Sequence, residues 1–464
     1  MTKNKSPIEL FTGKMRAENL PEIFIKNFIR YYKKLQQGSA GLITEKDILP
    51  VHSLPDALEV TPKFYELGKQ YLSRTVFLKL NGGLGTSMGL ETAKSLLPVK
   101  DGLTFLDIIA RQTEKGGFKL IFMHSFSTQV DCLQYLQKKY PQLYQNKPID
   151  FLQHKQPKIS QENLTPIRWP QNPELEWCPP GHGDLYISIY TSGVLDSLLE
   201  QGYRYAFISN ADNLGAVLDP AILGYFVHHN YSFMMEVTDR TEADKKGGHL
   251  ARDPNGRFIL REVAQCPKSD QLTFQDIQRH RYFNTNNLWM DLILLKKLLK
   301  KKRFYLGLPM IKNQKTVDPR DPSTPKVYHL ETAVGSAISV FEGAAAINVH
   351  RWRFAPVKNT NDLLAVRSDL YQLDDNFQIK PIPHRINSLP EIDLDPQYYQ
   401  NIDDFEKHFP NGVPSLRECE KLKIVGDFYF GRNVICKGRI TLRNSRRSPV
   451  RIPDGQMIQG DLIF

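Results

Sequence analysis

Between residues 15 and 37 apolar side chains recur at helical spacing, with Phe24, Ile25, Phe28, Tyr32 and Leu35 on one stripe. Gly38 stands where such a helix would stop, so the spacing predicts one amphipathic helix near the amino end. Residues 39–63 hold no sustained period, and Pro50, Pro55 and Pro62 interrupt any long element. From Thr75 the pattern changes. The run TVFLKL at 75–80 predicts a strand ending at a glycine-rich turn, and further strands are predicted over 119–124, 205–209 and 232–238. Helical stretches fall between several of them, which predicts an α/β fold with a mostly parallel, doubly wound sheet. Asn255-Gly256, between Leu250 and Ile259, signals a hairpin and hence an antiparallel attachment. Residues 291–304 predict a helix whose basic end (Lys296, Lys297, Lys300, Lys301, Lys302, Arg303) suits the negative pole of its dipole.

Past residue 371 the character shifts again. Residues 374–415, rich in Pro, Asp and Asn, read as a connector. Short β segments follow over 422–430, 433–436, 439–442, 450–452 and 457–463, separated by Gly426, Gly431, Gly438, Gly455 and Gly460. Short strands between recurring glycines favour a small solenoid or barrel over a sandwich. A length of 464 residues, at roughly 150 per domain, agrees with two to three units. The expected division is a helical extension over 1–70, a main domain over 71–371, and a connector with a C-terminal β domain over 372–464.

Composition narrows the class. Hydrophobic residues at 41% and charged residues at 24% exclude wholesale disorder, collagen and coiled coil. No stretch approaches the ~18 consecutive apolar residues of a membrane span, and no apolar segment of a signal peptide follows the charged amino end. Five scattered cysteines without a CxxC pair disfavour a disulfide framework or structural zinc, and make a reducing cytoplasm the simplest home. Of the net charge of +11, seven units lie between Arg432 and Arg451, where no acid occurs, leaving +4 for the rest. That strip has no Phe, Tyr or Trp to stack on bases, so a solvated basic face is favoured over a nucleic-acid site.

The segment LNGGLGTSMG at 80–89, with Lys94-Ser95 after it, carries the most chemistry. Gly82, Gly83, Gly85 and Gly89 let backbone N–H groups approach phosphate oxygens closely. The segment lacks the Gly-Lys-Ser/Thr ending of a Walker A loop, and its Gly-x-Gly-x-x-x-Gly spacing is not the dinucleotide fingerprint. A distinct nucleotide-triphosphate loop, with Lys94 as phosphate clamp, fits better than a plain turn. Asn210-Ala211-Asp212-Asn213 follows the predicted strand 205–209, at the end where open α/β sheets bind ligands. Asp212 can hold Mg²⁺, a hard cation that prefers carboxylate and phosphate oxygens. Gly181-His182-Gly183-Asp184 follows two prolines, presenting a histidine between two flexible points.

The glycine-rich loop and Lys94-Ser95 resemble the signature of eukaryotic-type UTP–glucose-1-phosphate uridylyltransferases. The resemblance recurs in PPGHGD at 179–184, SNADNLG at 209–215, MEVT at 235–238, KGG at 246–248, FNTNNLW at 283–289, LETAVG at 330–335 and RFAPVK at 353–358. It implies a Rossmann-like nucleotidyltransferase domain followed by a left-handed parallel β-helix, and transfer of the uridylyl group of UTP to glucose 1-phosphate with Mg²⁺. It assigns Leu80, Asn81, Gly82, Gly83 and Lys94 to the nucleotide, Gly181 and Gln153 to the uracil, and Asp212 to the metal. An amide such as Gln153 can satisfy both a carbonyl and an N–H of that base. His182 and Asn210 fall to the sugar phosphate, and Gly248, Glu262 and Asn286 to the hexose. Lys358 reaches the triphosphate from the far side of the cleft, and with Lys94 is implied to be catalytic. On a strand Asn284 and Asn286 share a face and Asn287 opposes them, so at most two of the three amides reach one ligand.

Two places depart from the family pattern: Thr92-Ala93 replace a Gly-Pro pair, and residues 372–420 match weakly. UDP-N-acetylglucosamine pyrophosphorylases resemble the same loop but carry arginine after Gly-Thr. Here Ser87 and Met88 follow, which favours glucose over N-acetylglucosamine, and another sugar 1-phosphate such as the N-acetylglucosamine or galactose ester is the alternative substrate. A non-catalytic nucleotide-sugar or RNA-binding protein is the competing class, and intact Lys94, Asp212 and Lys358 weigh against it. The β-helix mediates assembly in some family members and not in others, which leaves a homo-oligomer through the C-terminal domain open.

Overall fold

The computed structural model describes residues 5–39, 41–385 and 389–464. The first four residues of the charged amino end and residues 386–388 of the expected connector lie outside these. At the amino end the structure corrects the single predicted helix: two helices form, Pro7–Ala17 and Glu22–Gln36. Ser6 starts the first, accepting from Glu9 N at 3.3 Å while its own N–H donates to the Glu9 carboxylate at 2.7 Å. Asn19 at φ 56° and Pro21 ahead of Glu22 then break the path. The second helix buries the five predicted residues. Phe11 of the first packs against Phe28 and Tyr32 of the second, with ring centroids 5.2 and 4.8 Å apart.

A ten-stranded sheet forms the centre. Strand Thr75–Asn81 lies between Tyr205–Asn210 and Lys119–His124, and Asp150–Leu152 follows on the outside, all parallel. Strand Tyr282–Asp291 pairs antiparallel with Tyr205–Asn210 and with Phe233–Asp239, so the sheet is mixed around a parallel centre. The predicted hairpin is present. His249–Arg252 and Phe258–Arg261 pair antiparallel, with Gly256 at φ 82° in the turn. Alternation along the parallel strands sorts side chains onto two cores. Phe77, Phe122 and Phe207 enter one, with Phe105 and Ile109 of helix Phe105–Gly116. Val76, Leu78, Ile121 and Ile208 enter the other, with Leu185, Leu195 and Leu198. Each fully buried side chain of this size contributes about 1.5–3 kcal/mol.

After residue 390 the strands stack in parallel. Glu391–Leu394 pairs with Ser415–Val425, which pairs with Ile435–Arg443, which pairs with Met457–Gln459 and Leu462–Ile463. Two expectations change here. The first long strand begins at Ser415, inside the expected connector, and the segments expected over 433–436 and 439–442 form one strand through Gly438. Gly438 sits at φ 69° beside a slip in register whose extra residue, Glu420, belongs to the partner strand, so the residue read as a separator lies within a continuous strand, opposite a bulge. Leu422, Ile424, Ile440 and Leu442 continue the Phe77-side core by way of Leu364, Leu394 and Tyr399, so one apolar cluster spans the sheet and this ladder. Arg439, Arg443, Arg446 and Arg447 of the basic strip are exposed. All five cysteines are unpaired. Among the described residues no helix is long and apolar enough to cross a membrane.

Candidate active site

The carboxyl ends of the parallel strands open on a cavity of about 270 Å³. Leu80, Asn81, Gly82, Gly83, Lys94, Gln153, Gly181, His182, Asn210 and Asp212 all line it. Ten residues taken from four separated segments thus meet in one place. The Thr75 strand delivers the glycine loop, the Tyr205 strand delivers Asn210 to Asp212, and the chain leaving Asp150–Leu152 delivers Gln153. Gly82 makes room for Gln153: a Cβ there would stand 2.4 Å from Gln153 Nε2 and push that amide aside. Gly181 holds φ 80° and ψ 166°, open only to glycine, and a Cβ there would meet Thr332 O at 2.7 Å.

Lys94 Nζ donates to Asp212 Oδ2 at 2.7 Å. The other oxygen, Asp212 Oδ1, is buried without a hydrogen-bond partner. A desolvated carboxylate oxygen left bare is costly and calls for a cation. Among the described residues no cluster of three or more His, Cys, Asp or Glu side chains could hold a metal. Mg²⁺ is commonly bound by one or two carboxylates with waters and phosphates completing the shell, so the donor set fits that ion.

Asn81 lines the cavity and is also tied into the fold. Its side chain turns inward, 3.3 Å from His124 Nδ1 and from Cys132 Sγ, and its carbonyl accepts from Thr128 Oγ1 at 2.7 Å. These bonds fix the start of the loop. His182 accepts at Nδ1 from Val334 N at 2.8 Å, which leaves the ring proton on Nε2. Burial pushes both His182 and His124 down to about 4, so both rings are neutral near pH 7. Between pH 6.5 and about 4 the unfolded chain binds protons that the folded chain refuses, so stability falls as pH falls through that window. We expect His124→Gln to narrow the drop in thermal midpoint between pH 7 and pH 5. An unchanged drop would show that His124 is not among the groups responsible.

The residues assigned to the sugar gather separately, outside the lining of this cavity. A Cβ on Gly248 would stand 2.6 Å from Glu262 Oε2, so the glycine admits the carboxylate. Burial raises the Glu262 carboxyl, while the Lys358 charge and a hydrogen bond from Asn284 hold it back. Asn284 and Asn286 bind each other, Nδ2 to Oδ1 at 2.8 Å, and Asn286 sits at φ 57°, close to the slip in pairing with Glu236 and Val237. Asn287 is on the opposite face as expected, fully buried and bonded to Glu236. Lys358 is exposed, with Nζ 5.8 Å from the Phe283 ring centre and 5.6 Å from that of Phe354.

Sequence reasoning left Lys79 without a role, although a lone charge within an apolar strand was a visible signal. It is fully buried beneath the cavity, where Nζ donates to Ser209 Oγ at 2.8 Å and to Ala216 O at 3.4 Å. Those bonds tie together the two ends of the segment that carries Asp212. Burial brings the Lys79 ammonium down to about 7, against the opposing pull of Asp212.

The chain is similar to known proteins along most of its length. The family model for UTP–glucose-1-phosphate uridylyltransferase matches residues 22–437. The barley enzyme of that name is 41% identical over 458 residues, covering 96% of this chain and 93% of its own. The Saccharomyces cerevisiae enzyme is 38% identical, covering 84% and 78%. Among solved structures, a UDP-glucose phosphorylase from Trypanosoma brucei superposes with a TM-score of 0.93 at 44% identity, covering 99% of this chain and 100% of that one. A point mutant of Leishmania major UDP-glucose pyrophosphorylase in complex with UDP-glucose gives 0.92 at 42%, with both chains fully covered. With matches this long on both sequence and structure, the chain belongs to the UTP–glucose-1-phosphate uridylyltransferase family.

Proposed function

We propose that this protein transfers the uridylyl group of UTP to glucose 1-phosphate, releasing UDP-glucose and pyrophosphate. The observation that carries this is the Lys94–Asp212 pair, with Oδ1 bare, beside a glycine loop at the carboxyl ends of the parallel strands. The family match and the UDP-glucose bound to the Leishmania major relative support the choice of substrates. Both reactants are anions, and their encounter suffers like-charge repulsion. Lys94 and Lys358 bring positive charge to the phosphates from the two sides of the cleft, and the glycine loop lets backbone N–H groups approach them. Neutral His182 has Nε2–H to donate to the sugar phosphate, with Asn210 beside it. Gly181 and Gln153 stand where a uracil edge would lie, and Gly248, Glu262 and Asn286 offer acceptors and amides to hexose hydroxyls. Mg²⁺, held by Asp212, would neutralise phosphate charge and polarise a phosphoryl oxygen. The sugar phosphate oxygen attacks the α-phosphorus in line, and the bond to the β-phosphate breaks as pyrophosphate leaves. That nucleophile is already ionised near neutral pH, so no general base is needed, and positioning and electrostatics do the rest.

The same proposal takes residues 71–371 as the catalytic domain behind a helical extension over 1–70. It takes residues 372–464 as a connector and a C-terminal left-handed β-helix, supported by the parallel pairing of successive strands from Glu391 onward. It places the protein in the cytoplasm, in keeping with five unpaired thiols.

A coupled pyrophosphate-release assay with saturating UTP and Mg²⁺, run against three sugar 1-phosphates, tests the assignment. Glucose 1-phosphate is expected to give the highest kcat/KM. The N-acetylglucosamine ester is expected to fall short by up to about 10⁴-fold, since its acetamido group must displace the polar lining or leave it unpaired. Galactose 1-phosphate differs in one hydroxyl's orientation and is expected to be rejected less strongly. Equal or better use of the N-acetylated sugar would overturn glucose while leaving the nucleotidyltransferase class standing.

A further inference from the structure

Two segments that carry opposite charges to the phosphates are joined behind the cavity by groups that never enter it. Asp212 O accepts from Val357 N at 3.2 Å, one residue before Lys358. Asn213 Oδ1 accepts from Ala355 N at 2.9 Å, and Asn213 Nδ2 donates to Arg353 O and to Asn287 Oδ1, each at 3.1 Å. Pro356 lies opposite Asn213 and has no N–H, so a regular ladder cannot hold the two segments together. The Asn213 side chain supplies the bonds that the backbone lacks.

Below this clamp Arg353 is fastened in turn. Its Nη2 and Nε reach the two oxygens of Glu236 at 2.7 and 2.8 Å. The same oxygens accept from Trp289 Nε1 at 2.9 Å and Asn287 Nδ2 at 3.0 Å, so each takes two donors. Glu236 is wholly buried and Arg353 nearly so. A buried ion pair is weak evidence for stability, because desolvation offsets much of its attraction. What this pair does have is geometry: a planar, bidentate lock holds the start of the 353–358 segment in one place.

We infer that Asn213, anchored through the Glu236–Arg353 pair, is a positioning residue that sets the separation of Asp212 and Lys358. This rests on the proposed uridylyl transfer, in which those two groups act on the same phosphates. Neither Asn213 nor Arg353 lines the cavity, so both act through their neighbours.

The test uses the full-length protein with UTP, glucose 1-phosphate and Mg²⁺. Asn213→Ala is expected to lower kcat about 10²-fold, the cost of a displacement near 1 Å, with both KM values within about threefold of the parent. In a Lys358→Ala background the same substitution is expected to change kcat less than threefold, because the group it positions is already gone. Arg353→Met should mimic Asn213→Ala and Arg353→Lys should recover part of the loss. Should the Met variant fail to fold, Asn213→Ala and its cycle with Lys358 still decide. A kcat within threefold of the parent, whatever the thermal midpoint does, overturns the inference. So does a full additional loss in the Lys358→Ala background, or a change confined to KM. If the parent protein itself makes no UDP-glucose, it is the proposed reaction that fails instead.

Discussion

Asp212→Ala is expected to lower turnover at least about 10³-fold, as befits a metal worth several kcal/mol of transition-state stabilisation. The thermal midpoint should change little. One carboxylate oxygen holds only Lys94 and the other holds nothing, so few direct bonds are lost, and the buried Lys79, deprived of the Asp212 charge, can shed its proton. Lys94 would then be free to bind phosphate, so KM for UTP should not rise with the loss of turnover. Asp212→Asn is the sharper variant, since it keeps the shape and removes the charge. Parent-like rates in Mg²⁺ for either variant would sink the metal assignment.

Lys358→Ala is expected to cost about 2.7–4 kcal/mol in the barrier, or roughly 10²–10³ in kcat, with little change in KM for glucose 1-phosphate. The side chain is held without being used up. Its ammonium lies near two ring faces, Phe283 and Phe354, and makes no hydrogen bond among the described residues, so its three donors stay available to phosphate oxygens. Its backbone is fixed independently, with the N–H given to Asp362 at 2.7 Å and the carbonyl accepting from Ser87 Oγ at 3.3 Å. A variant altered only in KM would make Lys358 a uniform binding contact.

Much of this was legible in the sequence because it depends on local chemistry. Strands such as 119–124 announce themselves by an apolar run against a turn, and glycine loops by residues that only close approach explains. What escaped depends on fine backbone geometry or on partners distant in the chain. The break between the first two helices turns on a cap at Ser6 and a left-handed Asn19, neither of which alters the apolar spacing. Gly438 reads as a separator until its neighbours are seen pairing across it. The internal bonds of Asn81 also lie beyond its motif, since the groups that meet its amide, His124 and Cys132, come from residues far along the chain. Glu236 and Arg353 are 117 residues apart, and nothing local in either indicates that they meet.

The apolar cluster that runs from the Phe77 face of the sheet into the C-terminal ladder bears on how the chain is made. On a ribosome, helix Phe105–Gly116 emerges long before the strands around Leu422 and Ile440 that complete its core. At about 5–20 residues per second that interval is on the order of tens of seconds, during which a large greasy surface has no native cover. A message cut short near its end would yield a sticky product destined for degradation rather than a smaller enzyme.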